Sequence, residues 1–288
     1  MAAPALPDLT GRYILVTGST NGIGLEAAVA FAARGARVGV VGRDPARTER
    51  VAAEVRTRAG SQAVDSFHAD FALQASVRAL AADVLARWPR LDVLVNNAGT
   101  VSAERTVTPD GIETTFAVNH LGYVLLTELL LDRLRASAPA RIVNVSSRGH
   151  YRGTMDLEDL GYARGGYAIM RAYCRSKLGN VLYTRHLARR LEGTGVTVNS
   201  LHPGGVATNI WTGAPAWAAP ILALAKLFML TPEQGSHPIQ YLAASPEVEG
   251  KTGLYYHRDH FREPSRLARD EGLGERLQAE SARLVGLD

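Results

Sequence analysis

Tyr173 and Lys177 stand four positions apart in the run Tyr173-Cys174-Arg175-Ser176-Lys177, a spacing that places a phenol and an ammonium one turn apart on the same helix face. An unperturbed phenol, with a pKa of ~10, exchanges protons poorly at neutral pH. A fixed positive charge beside it is expected to lower that pKa and bring the phenol into the range of general acid/base work. The spacing alone also fits an ordinary surface pair, so its meaning depends on what else the chain supplies. It supplies a second hydrogen-bonding group, Ser147, at the end of the strand expected before this helix, with Ser146 beside it. It also supplies, near the amino terminus, a glycine turn able to receive a pyrophosphate.

That turn is Thr17-Gly18-Ser19-Thr20-Asn21-Gly22-Ile23-Gly24, set between an apolar strand, Tyr13-Ile14-Leu15-Val16, and an Ala-rich helix expected over Leu25 to Arg34. Strand, glycine turn and helix together aim backbone N–H groups and a helix amino terminus at an anion. A second strand, Arg37 to Val41, ends at Gly42-Arg43, where an NAD site carries an acid for the ribose hydroxyls. Glycine followed by arginine leaves room for a 2′-phosphate and offers it a guanidinium, which favours NADP(H) over NAD(H). The competing reading takes Arg43 as only one of many surface arginines, with the adjacent Asp44 easily mistaken for the ribose ligand. A helix over Arg47 to Ala59 and a third strand over Ala63 to His68 lead to Ala69-Asp70-Phe71, which places Asp70 at the adenine edge. A fourth apolar strand, Leu91 to Val95, runs into Asn96-Asn97-Ala98-Gly99, a strand end beside a cofactor or a simple turn. From Gly111 a long helix is expected with Phe116, Val118, Leu121, Val124, Leu125 and Leu129 at core spacing. It is interrupted by Asn119-His120, and asparagine inside a helix is unfavourable without a partner. Strands over Arg141 to Val145 and Val196 to Leu201 complete six alternations, the second opening into His202-Pro203-Gly204-Gly205-Val206-Ala207-Thr208. The pattern predicts an α/β fold of the Rossmann type, one doubly wound parallel sheet with helices on both faces and a ligand crevice beyond the carboxyl ends of the strands.

Composition narrows the function classes. The 288 residues are 46% hydrophobic and 21% charged, with no low-complexity run, as expected of a globular chain with a substantial core. Positive charge is almost all arginine and is spread without a basic block, which argues against a nucleic-acid partner. The single cysteine, Cys174, rules out an intrachain disulfide and a Cys-based zinc site, and it fits a reducing compartment. Met1 to Thr10 lacks a basic n-region, so no export signal is expected there and the expected location is cytoplasmic. The apolar stretch Ala214 to Ala225 is broken by Pro215 and Pro220 and falls short of the ~20 residues of a spanning helix, so no transmembrane segment is expected.

Taken together, the motifs resemble the short-chain dehydrogenase/reductase family over nearly the whole chain. The glycine turn, Asn96-Asn97-Ala98-Gly99, the Tyr173/Lys177 pair, Asn119 and Ser147 occur in the family's order. The segment Pro203-Gly204 with Val206 and Thr208 is similar to the family's holder of the nicotinamide carboxamide. Asn119-His120-Leu121-Gly122, Tyr173-Cys174-Arg175-Ser176-Lys177-Leu178, Glu275-Arg276-Leu277 and the long gap between Ser147 and Tyr173 resemble its retinol dehydrogenase-like branch. The resemblance implies an NADP(H)-dependent enzyme interconverting an alcohol and its aldehyde or ketone. It implies Tyr173 as acid/base, Ser147 as hydrogen-bond partner of the substrate oxygen and Lys177 as ribose ligand and tuner of Tyr173. It implies Asn119 as the holder of a water linked to the lysine. The implied cofactor site comprises Gly18, Ser19, Thr20, Asn21, Gly22, Ile23, Gly24, Arg43, Asp70, Phe71, Asn97, Ala98, Gly99, Tyr173, Lys177, Pro203, Gly204, Val206 and Thr208. Ser147 is chosen over Ser146 by family register. No metal is implied.

One domain is expected over 1–288: a tail to 12, a dinucleotide-binding core with the catalytic helix over 13–208, a substrate lid over 209–230, and carboxy-terminal helices with a last strand from 231. The lid carries Trp211, Trp217, Ile221, Leu222, Leu224, Leu227, Phe228 and Leu230, which points to a bulky apolar substrate, with core packing or peripheral membrane contact as the competing uses. The insertion from Arg148 to Ala172 is the candidate for the opposite wall. Family resemblance also implies pairing through the helices of Asn119 and Tyr173, to a homodimer or homotetramer. A catalytically silent NADP(H)-binding sensor and an epimerase or dehydratase on the same fold are the alternatives. Filled catalytic positions weigh against the first, and the short chain after Thr208 against the second.

Overall fold

A computed structural model describes residues 6–206 and 229–287. Thr208 and the expected lid lie outside these residues, except for Met229 and Leu230. Val206 and Leu230, which flank the gap, form a parallel bridge.

Eight strands form one sheet in the order β3-β2-β1-β4-β5-β6-β7-β8. They are β1 (Tyr13–Val16), β2 (Arg37–Gly42), β3 (Val64–His68), β4 (Val93–Asn96), β5 (Ala140–Val145), β6 (Val196–His202), β7 (Tyr255–His257) and β8 (His260–Phe261). The first seven pair in parallel, and β8 is antiparallel to β7. Helical crossovers allow consecutive parallel strands, and the step from β1 outwards in both directions opens a crevice at the strand ends. Side chains alternate between two cores. Leu15 and Leu94 face one with Trp88, Tyr123 and Leu178, while Ile14, Val16, Val93 and Val95 face the other with Phe31 and Ile239. Continuous apolar strands follow because both faces are covered.

Among the described residues the α-helices are α1 (Gly22–Ala32), α2 (Pro45–Ala59), α3 (Gln74–Arg87), α4 (Thr114–Phe116), α5 (Gly122–Ala136), α6 (Ile169–Arg190), α7 (Pro232–Ala244) and α8 (Glu271–Leu284). Local signals explain their ends. Asp44 caps α2 by accepting the Arg47 N–H at 2.7 Å, Pro45 takes the first position, and Gly60 at φ 63 ends it. The long helix expected from Gly111 starts later. Glu113 caps α4 through Thr115 N at 2.8 Å and Phe116 N at 2.7 Å, and a π-helical turn, Ala117–Leu121, separates α4 from α5. The expectation of a single regular helix there is corrected by the partners that Asn119 finds, described below.

The run Thr114–Ala136 is long and apolar enough to cross a membrane, a candidate that the polar Asn119-His120 step conceals in the sequence. Inside the protein, 78% of its apolar window is buried, which is how a core helix satisfies the same test. The carboxy-terminal helix α8 packs against α6 with Leu273, Leu277 and Ser281 buried, and the Arg189–Glu271 pair at 3.5 Å borders the contact. Part of the outer face of α6 is thus covered within one chain.

Candidate active site

The glycine turn is held against β4 by Thr17, whose Oγ1 accepts from Asn97 N at 2.8 Å and Ala98 N at 3.0 Å and donates to Val95 O at 3.1 Å. Gly18 has φ +62, and a Cβ there would stand 2.6 Å from Ala98 Cα, so only glycine permits this approach. At Gly24 a Cβ would meet Asn97 Nδ2 at 2.5 Å. Asn97 Nδ2 donates to Thr17 O at 2.8 Å and Gly18 O at 3.1 Å, so its amide staples the turn.

These contacts shape a cleft of about 820 Å³ at the carboxyl ends of the strands. Gly18, Thr20, Asn21, Gly22 and Ile23 line its start, and Asn97, Ala98 and Gly99 line its floor. Two expected ligands do not face it. Ser19 is buried, donating to Val16 O at 2.7 Å and accepting Val41 N at 3.0 Å, and Gly24 packs under Asn97. Both build the turn instead of lining the cleft. The amino terminus of α1 opens into this space with no side-chain cap from Asn21 and no acid in its first turn, which leaves its leading N–H groups for an anion. The residues therefore fit a dinucleotide pyrophosphate.

Arg43 borders the same cleft, with Asp70 and Phe71 further along it. Asp70 Oδ1 accepts Ala72 N at 3.0 Å, an acid used to shape its own turn. Asp44, the acid adjacent to Arg43, likewise spends Oδ1 on capping α2. Arg47, which the sequence reading passed over, lines the cleft beside Arg43, its Nη2 donating to Thr20 O at 3.4 Å. Its signal was its place in the first turn of α2, three residues after the Asp44 cap.

At the other end of the cleft, Pro203, Gly204 and Val206 form one side, and Ser147, Tyr173 and Lys177 converge from β5 and α6. The Ser147 side chain stands close enough to the Tyr173 phenol to oppose the rise in its pKa. Ser146 points the other way, its Oγ donating to Lys177 O at 2.8 Å. Lys177 is buried, donates from Nζ to Val145 O at 2.9 Å and stands 5.8 Å from the Tyr173 ring centroid. Burial pulls its pKa from 10.5 down to about 7. Burial likewise raises the pKa of Tyr173, only partly countered by the Ser147 side chain. The net shift of the phenol is thus set by burial, and the buried lysine is itself only partly charged near pH 7.

Asn119 does not line the cleft. It is fully buried in the π turn, where Oδ1 accepts Thr100 N at 2.8 Å and Nδ2 donates to Thr100 O at 2.9 Å and Ser176 Oγ at 3.1 Å. Both amide protons are thus committed, which answers the cost of asparagine inside a helix. Its neighbour His120 bridges Asn180 Oδ1 at 3.2 Å and Ser281 Oγ at 3.1 Å. Among the described residues, Val118, Met170 and Met229 add apolar wall to the same cleft.

A parallel sheet with an uncapped helix terminus, an adjoining arginine pair and a Ser-Tyr-Lys cluster on one cleft defines an α/β protein whose cleft fits a dinucleotide. A family model described as short chain dehydrogenase matches residues 12–219. Human retinol dehydrogenase 13 is 41% identical over 292 residues, covering 100% of this chain and 88% of that protein. An uncharacterised protein from Mycobacterium paratuberculosis shares the fold with a TM-score of 0.81 at 32% identity, over 98% of this chain and 96% of that one. A short-chain dehydrogenase from Escherichia coli CFT073 complexed with NADPH gives 0.71 at 26% identity, over 89% of this chain and 100% of that one. The chain belongs to the short-chain dehydrogenase/reductase family, in its retinol dehydrogenase-like branch. It is an alcohol-acting oxidoreductase of a family that binds a nicotinamide cofactor.

Proposed function

We propose that this protein is an NADP(H)-dependent enzyme that interconverts a bulky apolar alcohol with its aldehyde or ketone, with Tyr173 as the acid/base. The observation that carries this reading is the convergence of Ser147 and Tyr173 on one cleft, with the Lys177 amine buried beside them. A substrate oxygen placed between the two hydroxyls would accept hydrogen bonds from both. In the reductive direction Tyr173 Oη delivers its proton to that oxygen as negative charge develops, and in the oxidative direction it takes the alcohol proton. The bound nicotinamide supplies or receives the hydride. Lys177, with a pKa of about 7, changes charge in the working pH range and biases the phenol by its proximity. Asn119 holds the π turn to Thr100 and Ser176, and with both amide protons committed it acts on the lysine side of the site as a scaffold.

Preference for NADP(H) is supported by Arg43 and Arg47 on one cleft, with Asp44 turned to its helix, and by the NADPH bound to the Escherichia coli relative. An apolar substrate is supported by Val118, Met170 and Met229 on the cleft wall and by a human relative named for retinol, an apolar alcohol. The test is NADPH consumption across aldehydes and ketones graded by size and polarity. Each covered methylene adds up to ~0.8 kcal/mol, so kcat/KM should rise up to about fourfold per CH₂. Equal turnover of small polar ketones would remove the apolar assignment.

A further inference from the structure

His150 is fully buried, yet nothing in the chemistry proposed above uses it. It sits in a 3-10 turn, Arg148–Arg152, that begins directly after Ser147. Its Nδ1 lies 2.8 Å from the Ser147 carbonyl oxygen, which also accepts the His150 backbone N–H at 3.1 Å. Across the ring, Nε2 lies 3.2 Å from Ser265 N, a backbone N–H that it can only accept. One neutral tautomer satisfies both contacts, with the proton on Nδ1 and the lone pair on Nε2. Burial keeps the ring's pKa below its ordinary value, with the Ser147 carbonyl opposing the shift, and so favours that neutral form. The ring is packed between Tyr151, at 4.0 Å between centroids, and Tyr255, at 4.4 Å.

Ser147 is consequently gripped at two points. Its carbonyl is held by His150, and its Oγ accepts Gly149 N at 3.0 Å. What remains adjustable is the direction of its O–H proton towards Tyr173 and the cleft. We infer that His150 is a positioning residue for Ser147: its imidazole ties the turn that presents the Ser147 hydroxyl to the backbone at Ser265, beyond β8. The inference rests on the proposed contact between Ser147 and the substrate oxygen. A hydroxyl displaced by a fraction of an ångström no longer meets that oxygen in the geometry of the transition state.

Two substitutions separate positioning from bulk. His150→Phe keeps a ring between the tyrosines and removes the donor, whereas His150→Asn keeps an N–H donor at the δ position and loses the ring. With the carbonyl substrate that the wild type reduces best, His150→Phe should lower kcat by roughly 10- to 100-fold and leave the KM for NADPH unchanged. The Asn variant should retain more activity than the Phe variant although it melts at a lower temperature. In a Ser147→Ala background, His150→Phe should cost less than about threefold further, because it acts through a hydroxyl already removed. Wild-type turnover in the Phe variant, an Asn variant no better than Phe, or fully additive losses would each overturn the inference. If the Phe ring does not fold, His150→Leu serves as the donor-free comparison. Near-normal turnover of Ser147→Ala alone would instead overturn the reading of Ser147, and the inference with it.

Discussion

Replacing Arg43 and Arg47 with alanine should strip most of the preference for NADPH while sparing NADH. Both guanidinium groups border the cleft and both side chains are exposed. A charge-assisted hydrogen bond contributes ~1.5–3 kcal/mol, and solvent screening at an exposed site argues for the lower end. Arg43→Ala is therefore expected to cost about 1.5 kcal/mol of NADPH binding, and Arg47→Ala about 1 kcal/mol, since Arg47 also serves Thr20 O. The double variant should lose up to about 2.5 kcal/mol, or ~70-fold in Kd, an upper bound because both arginines would act on one phosphate. NADH should weaken by less than about twofold, for it lacks that phosphate. Isothermal titration of both cofactors at low and high salt measures these losses, and salt should shrink the NADPH advantage of the wild type. Asp44→Ala is the control: removal of the α2 cap should cost about 1 kcal/mol of stability without weakening NADPH. Equal losses for NADPH and NADH in the arginine variants, or a collapse of NADH binding in Asp44→Ala, would refute the reasoning.

Lys177 has a folded pKa of about 7 against 10.5 in the unfolded chain, so between these values the unfolded state binds more protons and stability rises with pH. The cost of the buried ammonium is full below pH 7 and fades towards 10.5; the melting temperature of Lys177→Met relative to wild type should accordingly fall over that window in a thermal-shift series, and a constant difference would mean that the lysine carries no such penalty. Ser281→Val leaves His120 Nε2 enclosed without its partner in a ring whose pKa burial holds down to about 4, and it should cost about 1–3 kcal/mol in urea unfolding. No loss would show that the contact between α8 and the π turn is dispensable.

Much of the scaffold is legible because it is written locally. Tyr13–Val16 and Val93–Asn96 read as strands from short apolar runs stopped by glycine and asparagine, and Tyr173 with Lys177 reads from helical spacing once the glycine turn and Ser147 are set beside it. What escaped depends on distant partners. The π turn at Asn119 exists because Thr100 and Ser176 receive its amide, and no periodicity announces either. Ser19 and Gly24 belong to the expected motif, yet their contacts with Val41 and Asn97 turn them inwards. Burial raises the pKa of Tyr173 and lowers that of Lys177, and both effects escaped because sequence does not show how deeply either group is buried. His150 finds Ser265 115 positions away, and β8 is a two-residue strand with both residues exposed, too short to carry an alternation.

The central claim is that Tyr173 moves the proton on the substrate oxygen. Tyr173→Phe, assayed by NADPH consumption with the best carbonyl substrate and by direct NADPH titration, tests it most directly. A general acid contributes at least ~100-fold, so kcat should fall by that factor or more while the Kd for NADPH stays nearly unchanged. Turnover close to that of the wild type, with NADPH binding intact, would contradict the account.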